Sequence, residues 1–239
     1  MIKEITDIGI HFKDIEHITD SSHILDLIKN ESNDQLNLFW LSKRKYKPIW
    51  KLQKQLHELR IKKEIKDVVL LLEHDHVYTL GKNANENHIL NSKDNTDIVK
   101  IDRGGDVTYH GPGQLVGYPI IDLHHYKMSI NWYLGVLSKT IIDLLKELKI
   151  DSNYSDDYVG IWVDDNKIAA FGVRLAKWVT MHGFALNVST DLSYYNGLIP
   201  CGIFEKGVTS ISNQTNFDYK CLDIAKLFTK YFKENLIKE

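Results

Sequence analysis

Tyr158-Val159-Gly160-Ile161-Trp162-Val163, the turn Asp164-Asp165-Asn166, Lys167 to Leu175, and then Val179 to Val188 form the stretch that decides the fold class. One apolar run enters a turn signal and another leaves it, which is the pattern of a hairpin. Val179 to Val188 continues it as an antiparallel meander. Working outward, Val68 to Leu72 is an unbroken aliphatic run that suits a strand buried on both faces. Val77 to Leu80 is expected beside it, Phe39 to Leu41 suits a short strand, and Leu115 to Leu123 a longer one. Helices are expected between these strands. Pro48 suits a first helical turn, with Ile49, Leu52, Leu56 and Leu59 following at helical spacing. Ser129 caps a long helix with the stripe Ile130, Tyr133, Leu137, Ile141, Leu144 and Leu148. Cys221 to Leu236 is a closing helix carrying Leu222, Ala225, Phe228 and Phe232 on one face. The sum is an α/β (α+β) chain with one mixed sheet flanked by helices. Residues 1–35 read as an N-terminal extension, with a short amphipathic helix at Ser22–Lys29, and residues 36–239 as a single domain.

Composition narrows the function. The chain has 239 residues, 43% of them hydrophobic, enough for an independent core. A net charge of −2 gives no bulk attraction to nucleic acid. Cys201 and Cys221 are too few for a disulfide framework, so a reducing compartment is expected. No apolar run approaches a membrane span, and the first residues lack the basic start and apolar block of a secretory signal.

Residues 101–119 hold five of the 14 glycines and two of the four prolines. Such a density marks a shaped loop whose backbone lies close against something. It is neither a phosphate-binding P-loop nor a dinucleotide fingerprint, because the required lysine and glycine spacing are missing. Arg103, Asp106, Tyr109 and His110 are interleaved with bare backbone, as on a binding surface. His74 and His76 alternate and could form half of a metal site, but no ligand set completes it nearby.

Cys201 stands between Pro200 and Gly202, a setting that displays a sulfur beside an open backbone amide. A thiol near pKa 8.5 needs a cation or base beside it at neutral pH. Lys167, which leaves the hairpin turn into small and apolar residues, is the first candidate; His110 and His182 are rivals. Cys221 opens a helix and is expected only to pack.

Arg103-Gly104-Gly105-Asp106-Val107-Thr108-Tyr109-His110-Gly111-Pro112-Gly113-Gln114, Gly160 to Val163 with Lys167 to Arg174, His182 to Asn187, Pro200-Cys201-Gly202, and Val208 to Ser210 resemble, in order and spacing, the lipoyl(octanoyl) transferase family. Leu71 to His74 and Tyr78 to Gly81 fit the same pattern, and the resemblance covers about residues 40–215. It implies the fold shared with lipoate and biotin protein ligases. It also implies transfer of an octanoyl group from octanoyl-acyl carrier protein to a lysine of lipoyl domains, in 2-oxoacid dehydrogenase complexes and glycine cleavage H protein. Carried over by position, Cys201 is the nucleophile and Lys167 its activating partner. Arg103, Gly104, Gly105, Asp106, Val107, Thr108, Tyr109 and His110 line the acyl site, completed by Ala170, Phe171, Gly172, Gly183, Phe184 and Ala185. Asp106 stands where several members carry Gln or another polar residue. No cofactor or metal is implied. The expected state is a monomer, in the cytoplasm of a bacterium or in the mitochondrial matrix or plastid of a eukaryote. An ATP-dependent ligase or lipoyl-domain amidotransferase of the same fold, or a non-catalytic lipoyl-domain or carrier-binding module, are the competing readings.

Overall fold

The structure is a computed structural model that describes residues 10–30, 36–82, 84–85, 88–89, 96–198 and 206–237. In chain order its strands are β1 (Ile10–Asp14), β2 (Leu36–Arg44), β3 (Val68–His74), β4 (Val77–Leu80), β5 (Asp97–Lys100), β6 (Val107–His110), β7 (Gln114–Ile120), β8 (Asn153–Ser155), β9 (Gly160–Val163), β10 (Asn166–Ala176), β11 (Val179–Asn187) and β12 (Gly207–Val208). The helices are α1 (Ser21–Asn30), α2 (Tyr46–Ile61), α3 (Ile130–Glu147), α4 (Ile211–Thr215) and α5 (Cys221–Ile237).

The main sheet runs β1-β2-β3-β7-β11-β10-β9-β8, with β12 added beside β10. It is mixed: β1, β2 and β3 pair in parallel, and β3, β7, β11, β10 and β9 pair antiparallel. Period-two burial explains the aliphatic run of β3. Val69 and Leu71 pack in one layer with α3 and α5, while Val68, Leu70 and Leu72 pack in the other with α1 and α2. Ser129 caps α3 as expected, its Oγ accepting from the Trp132 amide. The β1 strand continues the sheet at β2, and Ile24 and Ile28 of α1 are buried in the α2 layer.

One expectation fails in an informative way. Val77–Leu80 does not pair with β3; the two places beside β3 are taken by β2 and β7. After Asp75 and His76 the chain crosses to a separate three-stranded sheet, ordered β5-β4-β6. The glycine-rich stretch is likewise not all loop, because Val107–His110 is the β6 strand of that sheet. The small sheet stands over the β10–β11 hairpin, and the interval between them becomes the site.

Two glycines separate space from constraint. Gly183 in β11 lies under β7, where an added Cβ would meet the Gly117 carbonyl oxygen at 2.3 Å and Pro119 Cδ at 2.6 Å. Gly135, in the middle of α3, has nothing within 4 Å of that position. Gly183→Ala is therefore expected to destabilise the fold by about 1–3 kcal/mol through overpacking. Gly135→Ala should stabilise it by about 0.5–1 kcal/mol, since alanine restricts the unfolded chain and meets no clash. Urea unfolding of the two variants against the parent checks both signs.

Candidate active site

Arg103 joins the two sheets. Its guanidinium is buried; Nη2 donates to the Thr79 carbonyl at 2.9 Å and to Thr79 Oγ1 at 3.0 Å, and Nη1 to the Gly104 carbonyl at 2.9 Å. Its Cδ fills the space where Gly172 lacks a side chain, 2.8 Å from the ideal Cβ position. The Gly104 amide donates to the Val173 carbonyl of β10. Gly172 is thus small so that Arg103 can pass. Gly183 is small for the sake of β7, and Ala169 packs in the α3 layer. The open wall comes from Ala170 and Ala185, direct partners across β10 and β11.

Two cavities meet along that wall and share Thr108, Ala170 and Ala185. The inner one encloses about 350 Å³, counting space open to solvent, and reaches Tyr46, Arg103, His110, Tyr118, Gly172, His182 and Gly183. The outer one encloses about 590 Å³ on the same measure and reaches Trp162, Lys167, Asn187, Tyr195, Leu198 and Lys206. Arg103, Val107, Thr108, His110, Ala170, Phe171, Gly172, Gly183, Phe184, Ala185 and Lys167 of the expected set line one or the other.

Gly104, Gly105, Asp106 and Tyr109 do not line them and instead shape the loop. Gly105 takes φ +87°, Asp106 accepts from His88 Nδ1 at 2.5 Å and from the Asn85 amide, and Tyr109 stacks on Tyr194 in the core of the small sheet. Cys201 lies outside the described residues.

Lys167 is aimed by a bulge. The β9–β10 register slips between Lys167 and Ala169, and β12 pairs with the other edge of β10 at Asn166 and Lys167. Lys167 Nζ lies 4.9 Å above the Trp162 ring and 3.4 Å from the Val159 carbonyl, two partners that suit an ammonium. Cys221 is placed differently. It is buried, and burial together with Glu73 pushes its thiol well above the usual range, so it stays a thiol.

The inner end is built from rings, several of which bond to the protein through one polar atom. His110 Nδ1 meets Gln114 Oε1 at 2.8 Å, and Gln114 Nε2 donates to Asn187 Oδ1, the Tyr195 hydroxyl and the Tyr109 carbonyl. That network puts the His110 proton on Nδ1. His74 donates from Nδ1 to the Arg44 carbonyl and accepts from the Tyr118 hydroxyl at Nε2, 2.8 Å away. His76 bonds Tyr109 and stacks on Tyr194, so the two histidines that alternate in sequence serve separate aromatic groups. His182 Nε2 lies 3.0 Å from Asp102 Oδ1, and Asp102 also accepts from Trp50 and pairs with Arg174. Tyr46, Tyr118, Trp162 and Tyr195 carry no sequence signal of a site. Only their neighbours in space reveal them.

Residues 45–233 match the lipoyl protein ligase A/B catalytic domain. The chain belongs to that family. Curated relatives include an octanoyltransferase of Caldicellulosiruptor saccharolyticus, 41% identical over 83% of this chain and 89% of its own length. Another from Dictyoglomus thermophilum is 46% identical over 78% of this chain and 84% of its own. A chloroplastic octanoyltransferase of Arabidopsis thaliana is 40% identical over 81% and 72%. The family fold is confirmed by a lipoate-protein ligase A solved with bound ATP, with a TM-score of 0.62, 16% identity and 84% coverage of both chains.

Burial holds several of these imidazoles neutral: His74 is pushed down to about 4, His110 well below its usual value, and His182 below it despite Asp102. A folded-state pKa below the unfolded value near 6.5 means that the unfolded chain binds more protons in acid. Stability is then full above pH 6.5 and falls as the pH drops toward 4, with a slope of at most about 1.4 kcal/mol per pH unit for each histidine. His74→Gln should flatten the fall of the urea midpoint between pH 7 and pH 5, whatever it does to stability at pH 7.

Proposed function

We propose that this chain moves an octanoyl group from an acyl-carrier thioester to a lysine of a lipoyl domain, through a thioester on Cys201. The observation that carries the reading is the two-part cleft: an inner cavity on the Ala170–Ala185 wall adjoins one that reaches Lys167, in a chain 40–46% identical to curated octanoyltransferases over most of its length. The outer cavity is lined by Leu198 and Lys206, the described residues on either side of the Cys201 segment. Cys201 follows Leu198 by three positions (201 − 198), a reach of about 10 Å at full extension.

In the first half-reaction Cys201 Sγ attacks the donor carbonyl, and the carrier thiolate leaves and takes up a proton. In the second, the acceptor lysine amine attacks the new thioester, the amide forms and Cys201 Sγ is released. One thioester is exchanged for another at nearly equal energy, so no nucleotide is consumed. Lys167 stands where an ammonium can stabilise the thiolate and an amine can carry its proton. Backbone amides beside Cys201 take the developing oxyanion, typically worth about 3 kcal/mol per donor. The acyl chain lies inward over Ala170 and Ala185.

Purified protein incubated with octanoyl-carrier protein and no ATP should gain one octanoyl mass on Cys201, visible by intact mass spectrometry and lost on adding a lipoyl domain. Cys201→Ser should show no isolable adduct and no transfer; turnover near the parent rate in that variant ends the covalent mechanism. Cys221→Ser should behave as the parent, since its thiol is held protonated. Lys167→Arg keeps a cation but gives up the base. If charge alone is needed, acylation survives and attack by the acceptor slows; if proton transfer is needed, both half-reactions fall together. Ala170→Trp should fill the shared wall and block octanoyl transfer without unfolding the protein, checked by circular dichroism and a transfer assay.

A further inference from the structure

Asp102 precedes the Arg103 clamp and lines neither cavity. It nonetheless gathers groups from three elements: Trp50 Nε1 of α2 at 3.3 Å, Arg174 of β10, and His182 Nε2 of β11 at 3.0 Å. His182 does line the inner cavity, with its side chain only 2% exposed. Its backbone sits at φ +58° inside β11, a left-handed conformation that a histidine adopts only when its surroundings hold it there. Its amide donates to Gln53 Oε1, and Tyr118 stands edge-on to its ring with centroids 6.4 Å apart. Backbone and ring are thus fixed separately, the ring by Asp102.

This matters because of where the ring is. Tyr46, His110, Tyr118 and His182 are buried rings that line the inner cavity. Tyr118 and His110 are tied to buried partners, His74 and Gln114, and His182 to the part-exposed carboxylate of Asp102. Tyr46 stacks on His110 with an interplanar angle of 9°. A chain that reaches this wall cannot extend further without moving a ring, and moving Tyr118, His110 or His182 breaks a hydrogen bond to the protein. We propose that Asp102 is a positioning residue which, by holding His182, fixes the end wall of the acyl pocket and so sets the longest acyl chain the protein accepts. The inference rests on the octanoyl-transfer reading above.

The test compares kcat/KM for hexanoyl, octanoyl, decanoyl and dodecanoyl thioesters of the carrier. The parent should discriminate against decanoyl and longer chains. Asp102→Ala should erode the octanoyl-over-decanoyl preference by about tenfold, the size expected for one hydrogen bond. Asp102→Asn retains an acceptor for His182 Nε2 and should keep the preference within about threefold, because a hydrogen bond rather than a charge is what is needed. His182→Asn, an Asn being the side chain best suited to the left-handed backbone, should shift the preference as Asp102→Ala does. The double variant should shift no further than either single one, since both act on one ring. Equal parent rates for octanoyl and decanoyl, an unchanged preference in His182→Asn, or shifts that multiply in the double variant would each overturn the proposal. If Asp102→Ala does not fold, His182→Asn still decides the role of the wall, and unchanged discrimination there rejects it. A parent protein that transfers none of the chains refutes the octanoyl-transfer reading instead.

Discussion

The buried guanidinium of Arg103 is the constraint on which the site depends. A charge removed from water is tolerable only with its donors satisfied, and here the Thr79 and Gly104 carbonyls and the Thr79 hydroxyl do that. Those acceptors belong to the small sheet and its loop, while the aliphatic part of the side chain lies on Gly172 of the main sheet. The energetic requirement to satisfy one cation therefore sets the spacing of the two sheets, and the cleft is the remainder of that spacing. Gly81 shows how tightly it is set, since an added Cβ would lie 2.3 Å from the Gly105 carbonyl oxygen.

Around this clamp the cleft divides by chemistry. Its outer part carries Lys167 and Lys206 with Trp162 beneath both, a place suited to charge. Its inner part is lined by polar rings that bond within the protein and present their faces to the cavity. Hydrogen bonds to the protein engage one polar atom of each of His110, Tyr118 and His182. These bonds make the wall stiff, since each ring is tied to a separate element of the fold.

Much of this was legible in the residues. The hairpin at Asp164–Asn166, the β3 run, the Ser129 cap and the α5 stripe follow from period, turn chemistry and capping, which are local properties. The same holds for Lys167 at the head of a strand. The partner of Val77–Leu80 was not legible, because strand pairing depends on which edges other segments occupy, and β7 reaches β3 from over 40 positions downstream. The reasons for Gly172 and Gly183 were also hidden: a missing side chain looks the same in sequence whether it admits a ligand, an arginine or a neighbouring strand.

The sequence by itself determined the elements, the mixed α/β class and the family, since these rest on patterns within short windows and on the order of motifs. Tertiary structure alone decided which further residues join those expected at the site. Tyr46, Asp102, Tyr118 and His182 come from α2, the glycine loop, β7 and β11, and nothing in any one window marks them as neighbours. Their roles arise from burial and hydrogen-bond geometry, which exist only once distant segments have packed.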